Sequence, residues 1–489
     1  MKSRMTITVA AAVLAIIAPL TTLATQANAI ELPVQGSRTP TPAPTPPTPP
    51  PTPAPTTTVP VPLPTATTTT PAPVPTTPPP SPSEEPTQST SKWKPKAGVR
   101  FNEPRQAKKS HTINRYIRNA IANSPRGSQI RLVTWNYSNA LFVNDIVAAH
   151  KRGVSVRIIM ANGLAKSQGA GSFYPRTRDA LALGNKKRDP DMTSWFRTCM
   201  NSCRGKEGIQ HGKFFMFSRT GGMNNIVMST SANLTDAAAY VQWNDLLTVV
   251  DRQITWDNYT TVFKQMSRDK PIKKAFYTFE DGPYEGWFFP NMGKLSDYNV
   301  MRMLDKVKCK GAVGDAGKNG RTVIRVSQAV FNGKPGSAVS GKLRVLKERG
   351  CNIKLVYGVL NNLSRKNLED ISKKMILEDT NGDGYVDRYI HMKALTISGH
   401  YDGKRSSHIV YQGSANWSGM STLSDEQGFI IRSKELEEDY SRFINYLFKN
   451  PPPQGGDLIK EIVLRRNAGF DPFAQVREEM GLGAMKPAL

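Results

Sequence analysis

Between Gln129 and Met160 the apolar positions change period twice. "QIRLVTW" is a short apolar run of strand type, Phe142, Val143, Ile146, Val147 and Ala149 then fall at helical spacing, and "VSVRIIM" is a second strand-like run. The same order returns in "VIRVSQAVFNGKPGSAVSGKLRVLKERGCNIKLVY", residues 323 to 357, with Val339, Leu343 and Leu346 on the helical face. Each helix ends in a basic cluster followed by glycine, "HKRG" and "KERG", where cations oppose the negative dipole end and glycine can adopt a left-handed cap. The pattern predicts two β-α-β units and hence an α/β protein of two halves with mixed sheets and flanking helices. The repeat is spaced too widely for a solenoid and has the scale of a duplicated half.

A second repeated signature follows each unit. "IQHGKFFMFSRTGGMNNIVMSTSANLT" places His211 and Lys213 ahead of Ser231 and Asn233, and "YIHMKALTISGHYDGKRSSHIVYQGSANWS" places His391 and Lys393 ahead of Ser414 and Asn416. Strand residues two apart share a face, so each His/Lys pair and each Ser/Asn pair is expected to project together, the two pairs on neighbouring strands. One H-x-K is an ordinary strand sequence. Two of them, at matching places in a duplicated framework, in a chain with only 6 histidines, make coincidence the poorer explanation.

The remainder of the chain sets the compartment. Lys2 and Arg4 precede an apolar run ending in Ala27-Asn28-Ala29, the pattern of a secretory signal over residues 1–29. No later apolar segment approaches the length of a membrane span. Residues 30–92 are dominated by Pro, Thr, Ala and Ser and read as a disordered spacer, able to hold the body off a surface or cell wall. The expected division is an N-terminal half at 93–295, a C-terminal half at 296–450 and an extension at 451–489. In an exported chain Cys199, Cys203, Cys309 and Cys351 favour disulfides over zinc, since the C-x3-C spacing lacks paired knuckles. Local order suggests Cys199 with Cys203 and Cys309 with Cys351, although three connectivities are open. The formal charge is +26, and residues 1–92 contribute only Lys2, Arg4, Arg38 and Lys92 against Glu31, Glu84 and Glu85, leaving +25 on the rest. That excess favours polyanions, either nucleic acid or an anionic lipid surface.

The paired H-x-K and S-x-N elements resemble those of the phospholipase D superfamily over roughly residues 97 to 450, and the context is most similar to exported bacterial members. The resemblance implies two halves related by a pseudo-twofold axis around one active site, without a required cofactor. It implies that one histidine attacks phosphorus to form a phosphohistidine while the other protonates the leaving alcohol. His211 is the expected nucleophile and His391 the expected acid/base. Lys213, Lys393, Asn233 and Asn416 would hold the phosphoryl oxygens, with Ser231 and Ser414 in support. Relatives orient the histidine with an acid, for which Asp245 and Glu426 are the candidates and Asp425 the rival of Glu426. The family's aspartate five residues after the lysine is absent from both halves, which carry Ser218 and Ser398.

Two further stretches bear on function. "DTNGDGYVD" has the opening of a calcium loop in Asp379, Asn381, Asp383, Gly384 and Asp387, yet the twelfth position is Ile390 where a bidentate Glu belongs, so a tight polar turn is the stronger reading. "GWFFPNM" offers Trp287, Phe288 and Phe289 as residues that could enter a lipid interface, against the commoner reading as core. The leading expectation is a secreted, monomeric phospholipase D acting on glycerophospholipid headgroups. The alternatives are a secreted nuclease of the same mechanism and a noncatalytic polyanion-binding module.

Overall fold

The computed structural model describes residues 92–166, 172–380 and 386–453. The expected signal, nearly all of the spacer and the extension beyond residue 453 lie outside the described residues.

The first sheet has seven strands: β1 (Gly98–Phe101), β2 (Gln129–Val133), β3 (Ser155–Ala161), β4 (Trp195–Cys199), β5 (Phe214–Thr220), β6 (Met223–Thr230) and β7 (Asp245–Val249). Their spatial order is β1-β7-β6-β5-β2-β3-β4, with β2, β3 and β4 parallel and the others antiparallel. The second sheet repeats the plan with β8 (Tyr277–Asp281), β9 (Tyr284–Phe288), β10 (Val323–Phe331), β11 (Asn352–Leu360), β12 (Ser372–Met375), β13 (Lys393–Tyr401), β14 (Lys404–Gly413) and β15 (Gln427–Arg432). Here the order is β8-β9-β15-β14-β13-β10-β11-β12, and Val307–Lys308 adds a ninth, short strand against β13.

The expected β-α-β units are present. Helix α1 (Thr112–Ala122) precedes the first unit, α2 (Ala140–Lys151) joins β2 to β3, α3 (Gln253–Met266) follows β7, α4 (Gly333–Glu348) joins β10 to β11, and α5 (Lys434–Lys449) follows β15. The Asn139 side chain caps α2 by accepting from Phe142 N at 3.0 Å, and Ser433 caps α5 by accepting from Leu436 N at 3.3 Å. Gly153 and Gly350 close α2 and α4 with φ of 90° and 96°, a left-handed conformation that favours glycine.

Strand alternation divides the apolar side chains between an outer and an inner face. Ile130 and Leu132 pack under α1 and α2, whereas Val133 turns inward. The inner core draws Val133, Phe214 and Trp243 from one half and Val356, Met392 and Phe429 from the other. One shared core therefore holds both sheets together, with Tyr259 of α3 and Tyr440 of α5 buried in it.

Strand pairing and burial bear on two of these readings. The β8-β9 hairpin pairs with β15, so strand pairing assigns residues from Tyr277 onward to the second half, ahead of the expected division at 295. Trp287, Phe288 and Phe289 are buried and cannot enter an interface. The Trp287 ring packs against Gly413 and Gly428, where a Cβ at Gly428 would stand 2.3 Å from the ring. These aromatics serve packing because β9 is an inner strand of its sheet.

The serines at the family's aspartate positions act as backbone acceptors. Ser218 Oγ accepts from Gln129 N at 2.8 Å and Ser398 Oγ from Gly317 N at 3.0 Å, each tying β5 or β13 to the segment entering the parallel strands. Ser218→Ala is expected to lower unfolding free energy by about 1 kcal/mol, read from urea denaturation, because the Gln129 donor loses its partner.

Candidate active site

Both H-x-K elements sit just ahead of a strand, β5 or β13, and both S-x-N elements just beyond the end of its neighbour, β6 or β14. The pairs thus meet at the same strand ends, although none of the four residues of either set except Lys393 is within a strand, so strand alternation is not what brings them together.

Each histidine is held by the opposite half. His211 N donates to Asp425 O at 3.1 Å, while His391 N and Met392 N both donate to Trp243 O, at 3.0 and 2.9 Å. The rings cross in the same way. His211 Nδ1 lies 2.8 Å from Glu426 Oε1, and His391 Nδ1 lies 2.9 Å from Asn244 Oδ1. A carboxylate or an amide oxygen at Nδ1 can only accept, so both rings carry their proton there and present Nε2 for chemistry.

The supporting serines repeat this arrangement. Ser231 Oγ donates to Asn244 Oδ1 at 2.9 Å and accepts from Asp245 N at 3.1 Å. Ser414 Oγ donates to Glu426 Oε2 at 2.5 Å and accepts from Gln427 N at 3.1 Å. Asn244 therefore occupies the position of Glu426, and the residue after each begins a strand, β7 or β15.

Asp245, expected to orient a histidine, does not do so. Its Oδ2 accepts from Tyr440 OH at 2.7 Å, and burial raises its pKa, with the Tyr440 hydrogen bond opposing. Asp425, the rival of Glu426, is likewise turned away: its Oδ2 accepts from Cys203 N at 2.5 Å. Burial pushes Asp425 up to about 7, against the attraction of Arg204. Glu426 alone of the three acids reaches a histidine ring. Asn244 is not an acid, so residue type does not single it out; its place just ahead of the strand start that follows S-x-N, the same as that of Glu426, is the signal that does.

The electrostatics describe a site short of negative charge. Burial takes His211 down to about 4 in spite of Glu426, and takes His391 well below its ordinary value with help from Lys393 and Lys213. Burial brings Lys213 to about 7, and burial with the neighbouring Lys213 charge takes Lys393 well below its ordinary value. Burial alone would raise Glu426, but His211 and Lys213 outweigh it and keep the carboxylate ionised. Each lysine Nζ donates to the carbonyl of the histidine two residues before it. Asn233 Nδ2 and Asn416 Oδ1 are buried without a hydrogen-bond partner. An amide can turn to present either atom, so the two asparagines and two lysines supply unspent donors for an anion. The Trp135 ring, missed in the sequence, stands edge-on to His211 at 5.4 Å and 5.6 Å from Lys213 Nζ, forming a wall of the site.

The loops and short helical turns leaving these same strand ends carry Leu141, Met200, Tyr240, Met292, Leu363 and Met420, all exposed. The exposed apolar residues at the opposite ends are Leu183, Ile254 and Val313 among the described residues.

The cysteines pair as local order suggests, Cys199 with Cys203 and Cys309 with Cys351. Of the calcium-loop positions, Asn381, Asp383 and Gly384 lie outside the described residues, while Asp387 Oδ2 accepts from Thr380 N at 2.5 Å and from the Thr380 hydroxyl. Among the described residues no helix is long and apolar enough to cross a membrane.

The family model described as "Cardiolipin synthase, PLD-like domain" matches residues 117–267 and 318–448, together more than half of the chain. No curated protein matches the chain. Among solved structures, the chain is similar to a phosphatidylserine synthase from Haemophilus influenzae at 11% identity, covering 78% of this chain and 94% of that one with a TM-score of 0.48. It is similar to a polyphosphate kinase from Porphyromonas gingivalis at 16% identity, with 72% of this chain covered and a TM-score of 0.45, and it spans 50% of the kinase's length. Nuc, a phospholipase D family member from Salmonella typhimurium, matches at 18% identity over 36% of this chain and 96% of its own, with a TM-score of 0.26. Likeness at these levels carries no argument about activity.

Proposed function

The chain belongs to the PLD-like family, with one family segment in each half and a phosphodiesterase or phosphatidyltransferase type of activity, and from that premise we propose that it is an exported phospholipase D acting on glycerophospholipids. The observation that carries the choice of lipid is the gathering of exposed Leu141, Met200, Tyr240, Met292, Leu363 and Met420 at the strand ends where the histidines lie. Apolar residues around a polar mouth favour contact with a bilayer surface, and the net positive body favours an anionic one. A nuclease would be expected to surround the same mouth with cations and stacking residues. The two disulfides fit an oxidising compartment.

In the first step the His211 Nε2 lone pair attacks phosphorus, a P–N bond forms, and the P–O bond to the headgroup breaks. The His391 Nε2 proton passes to the departing alkoxide. In the second step His391 Nε2 takes a proton from water, the oxygen attacks phosphorus, and the P–N bond breaks to restore His211. An alcohol in place of water gives headgroup exchange. Lys213, Lys393, Asn233 and Asn416 neutralise the phosphoryl oxygens throughout. The substrate anion supplies the negative charge that the empty site lacks, which raises the proton affinity of His391 on binding.

The test compares release of headgroup from phosphatidylcholine vesicles with cleavage of plasmid DNA. Lipid turnover that disappears in Lys393→Ala is expected; DNA cleavage without lipid turnover would overturn the lipid assignment. Replacing Met292 and Met420 together by Asp is expected to lower vesicle turnover at least about tenfold while sparing a soluble short-chain lipid. Equal losses on both substrates would contradict an interfacial role for this rim.

A further inference from the structure

The duplicated framework contains its own control for a second site. Arg131 of β2 pairs in register with Arg157 of β3, and in the other half Arg325 of β10 pairs with Lys354 of β11. Both buried guanidinium groups are anchored alike: Arg131 Nη1 donates to Ile130 O and Ser155 O at 2.9 and 3.1 Å, and Arg325 Nη1 to Ile324 O and Asn352 O at 2.8 and 3.0 Å. What covers them differs. Aligning α3 with α5 on their buried tyrosines, Tyr259 and Tyr440, sets Thr260 against Ser441, Lys264 against Asn445 and Ser267 against Phe448.

In the second half the space is filled and its polar groups are paired. Asn445 Oδ1 accepts from Arg325 Nε at 3.0 Å, the Phe448 ring lies 4.9 Å from Lys354 Nζ, and Ser441 Oγ meets Thr396 Oγ1 at 2.7 Å. In the first half the corresponding volume is a cavity of about 270 Å³. Lys264 takes the place of the accepting amide and adds a cation, Ser267 leaves the room that Phe448 fills, and Thr260 Oγ1 is buried with no partner. Trp195 and Trp256 line the cavity as well, and Arg197 lies 4.4 Å over the Trp195 ring. The acid lining this space is Asp191, against Arg131, Arg157 and Lys264. Burial, with the Arg157 charge, brings Arg131 down to about 9 against the attraction of Asp191. The cavity opens at the start of β2 and β3, whereas the two-histidine site lies at the other end of those strands.

We propose that this cavity of the first half binds a small phosphate-bearing ligand with a flat apolar body, its anion among Arg131, Arg157 and Lys264 and its body against Trp195 and Trp256. Cations on a desolvated floor give charge-assisted hydrogen bonds to phosphate, and indole faces add stacking area. The site is independent of the lipid assignment, since it uses no residue of the two-histidine site.

Calorimetric titration of the full chain with phenyl phosphate tests it, with glycerol 3-phosphate and inorganic phosphate as the arms that separate a flat body, a polyol body and the bare anion. Two binding events are expected for phenyl phosphate. Lys264→Asn with Ser267→Phe, which installs the second half's own residues, should weaken one event at least about tenfold and leave the other, whose survival shows the fold intact; Lys213→Ala should remove the other. A single event in the wild type, or two events unchanged by the double substitution, would overturn the proposal. Inorganic phosphate or glycerol 3-phosphate binding as tightly as phenyl phosphate would overturn the role of the tryptophans.

Discussion

His211→Ala is expected to lower turnover by about 10⁵–10⁶-fold on every substrate, the scale seen when a covalent nucleophile is removed. His391→Ala should behave differently according to the leaving group. With an alcohol headgroup it should cost about 10²–10⁴-fold, the usual worth of a positioned general acid. With a 4-nitrophenyl phosphodiester the leaving phenolate needs no proton, so the first step should persist and release a burst of about one equivalent before stalling, since no base remains to activate water. The two histidines are chemically similar and similarly buried, so this contrast separates their roles where loss of activity alone does not. Equal behaviour of the two variants on the activated substrate would remove the division of labour.

The unequal partners of the two rings give the second large effect. Glu426 offers His211 a charged acceptor, and Asn244 offers His391 a neutral one. Glu426→Ala is expected to lower kcat by about 10³–10⁴-fold, because it removes the group that fixes the ring tautomer and also one acceptor of the Ser414 hydroxyl. Glu426→Gln keeps an acceptor and loses only the charge, so it should fall by roughly 10²-fold, or about 2.7 kcal/mol. Asn244→Asp works in the opposite sense. A carboxylate at Nδ1 favours the imidazolium, so the His391 pKa rises and the general acid stays protonated to higher pH. The alkaline limb of kcat/KM should move up by about 1–3 units. The acid limb belongs to His211, which must be unprotonated to attack; it should remain near pH 4, where burial has placed that ring. Movement of the acid limb in Asn244→Asp, or of the alkaline limb in Glu426→Gln, would reverse the assignment.

These assignments also mark what local sequence can and cannot express. The β-α-β units were legible because Phe142, Val143 and Ile146, and later Val339, Leu343 and Leu346, meet the core through a period that any short window reveals. The His, Lys, Ser and Asn pairs were legible because they recur together. Ring partners were not, since Asn244 and Glu426 reach histidines 147 and 215 residues away in the opposite half. That crossing depends on the shared inner core, which no single strand encodes. Asp245 looked suitable by type and position, but it begins β7 one residue past Asn244, and strand alternation turns it toward Tyr440. An interface role for Trp287 stayed open beside the commoner core reading because the glycines that admit its ring, Gly413 and Gly428, are far along the chain. The apolar rim was hidden for the same reason: Leu141, Met200, Tyr240, Met292, Leu363 and Met420 are scattered singly, and only the strand directions collect them.

The most direct measurement is to acid-free quench the His391→Ala variant during its burst on the 4-nitrophenyl substrate and map the adduct by mass spectrometry. A phosphoryl adduct on His211, absent from His211→Ala, is the predicted result. An adduct on His391 in the His211→Ala variant, or nitrophenol release with no histidine adduct at all, would contradict a shared site in which His211 is the nucleophile.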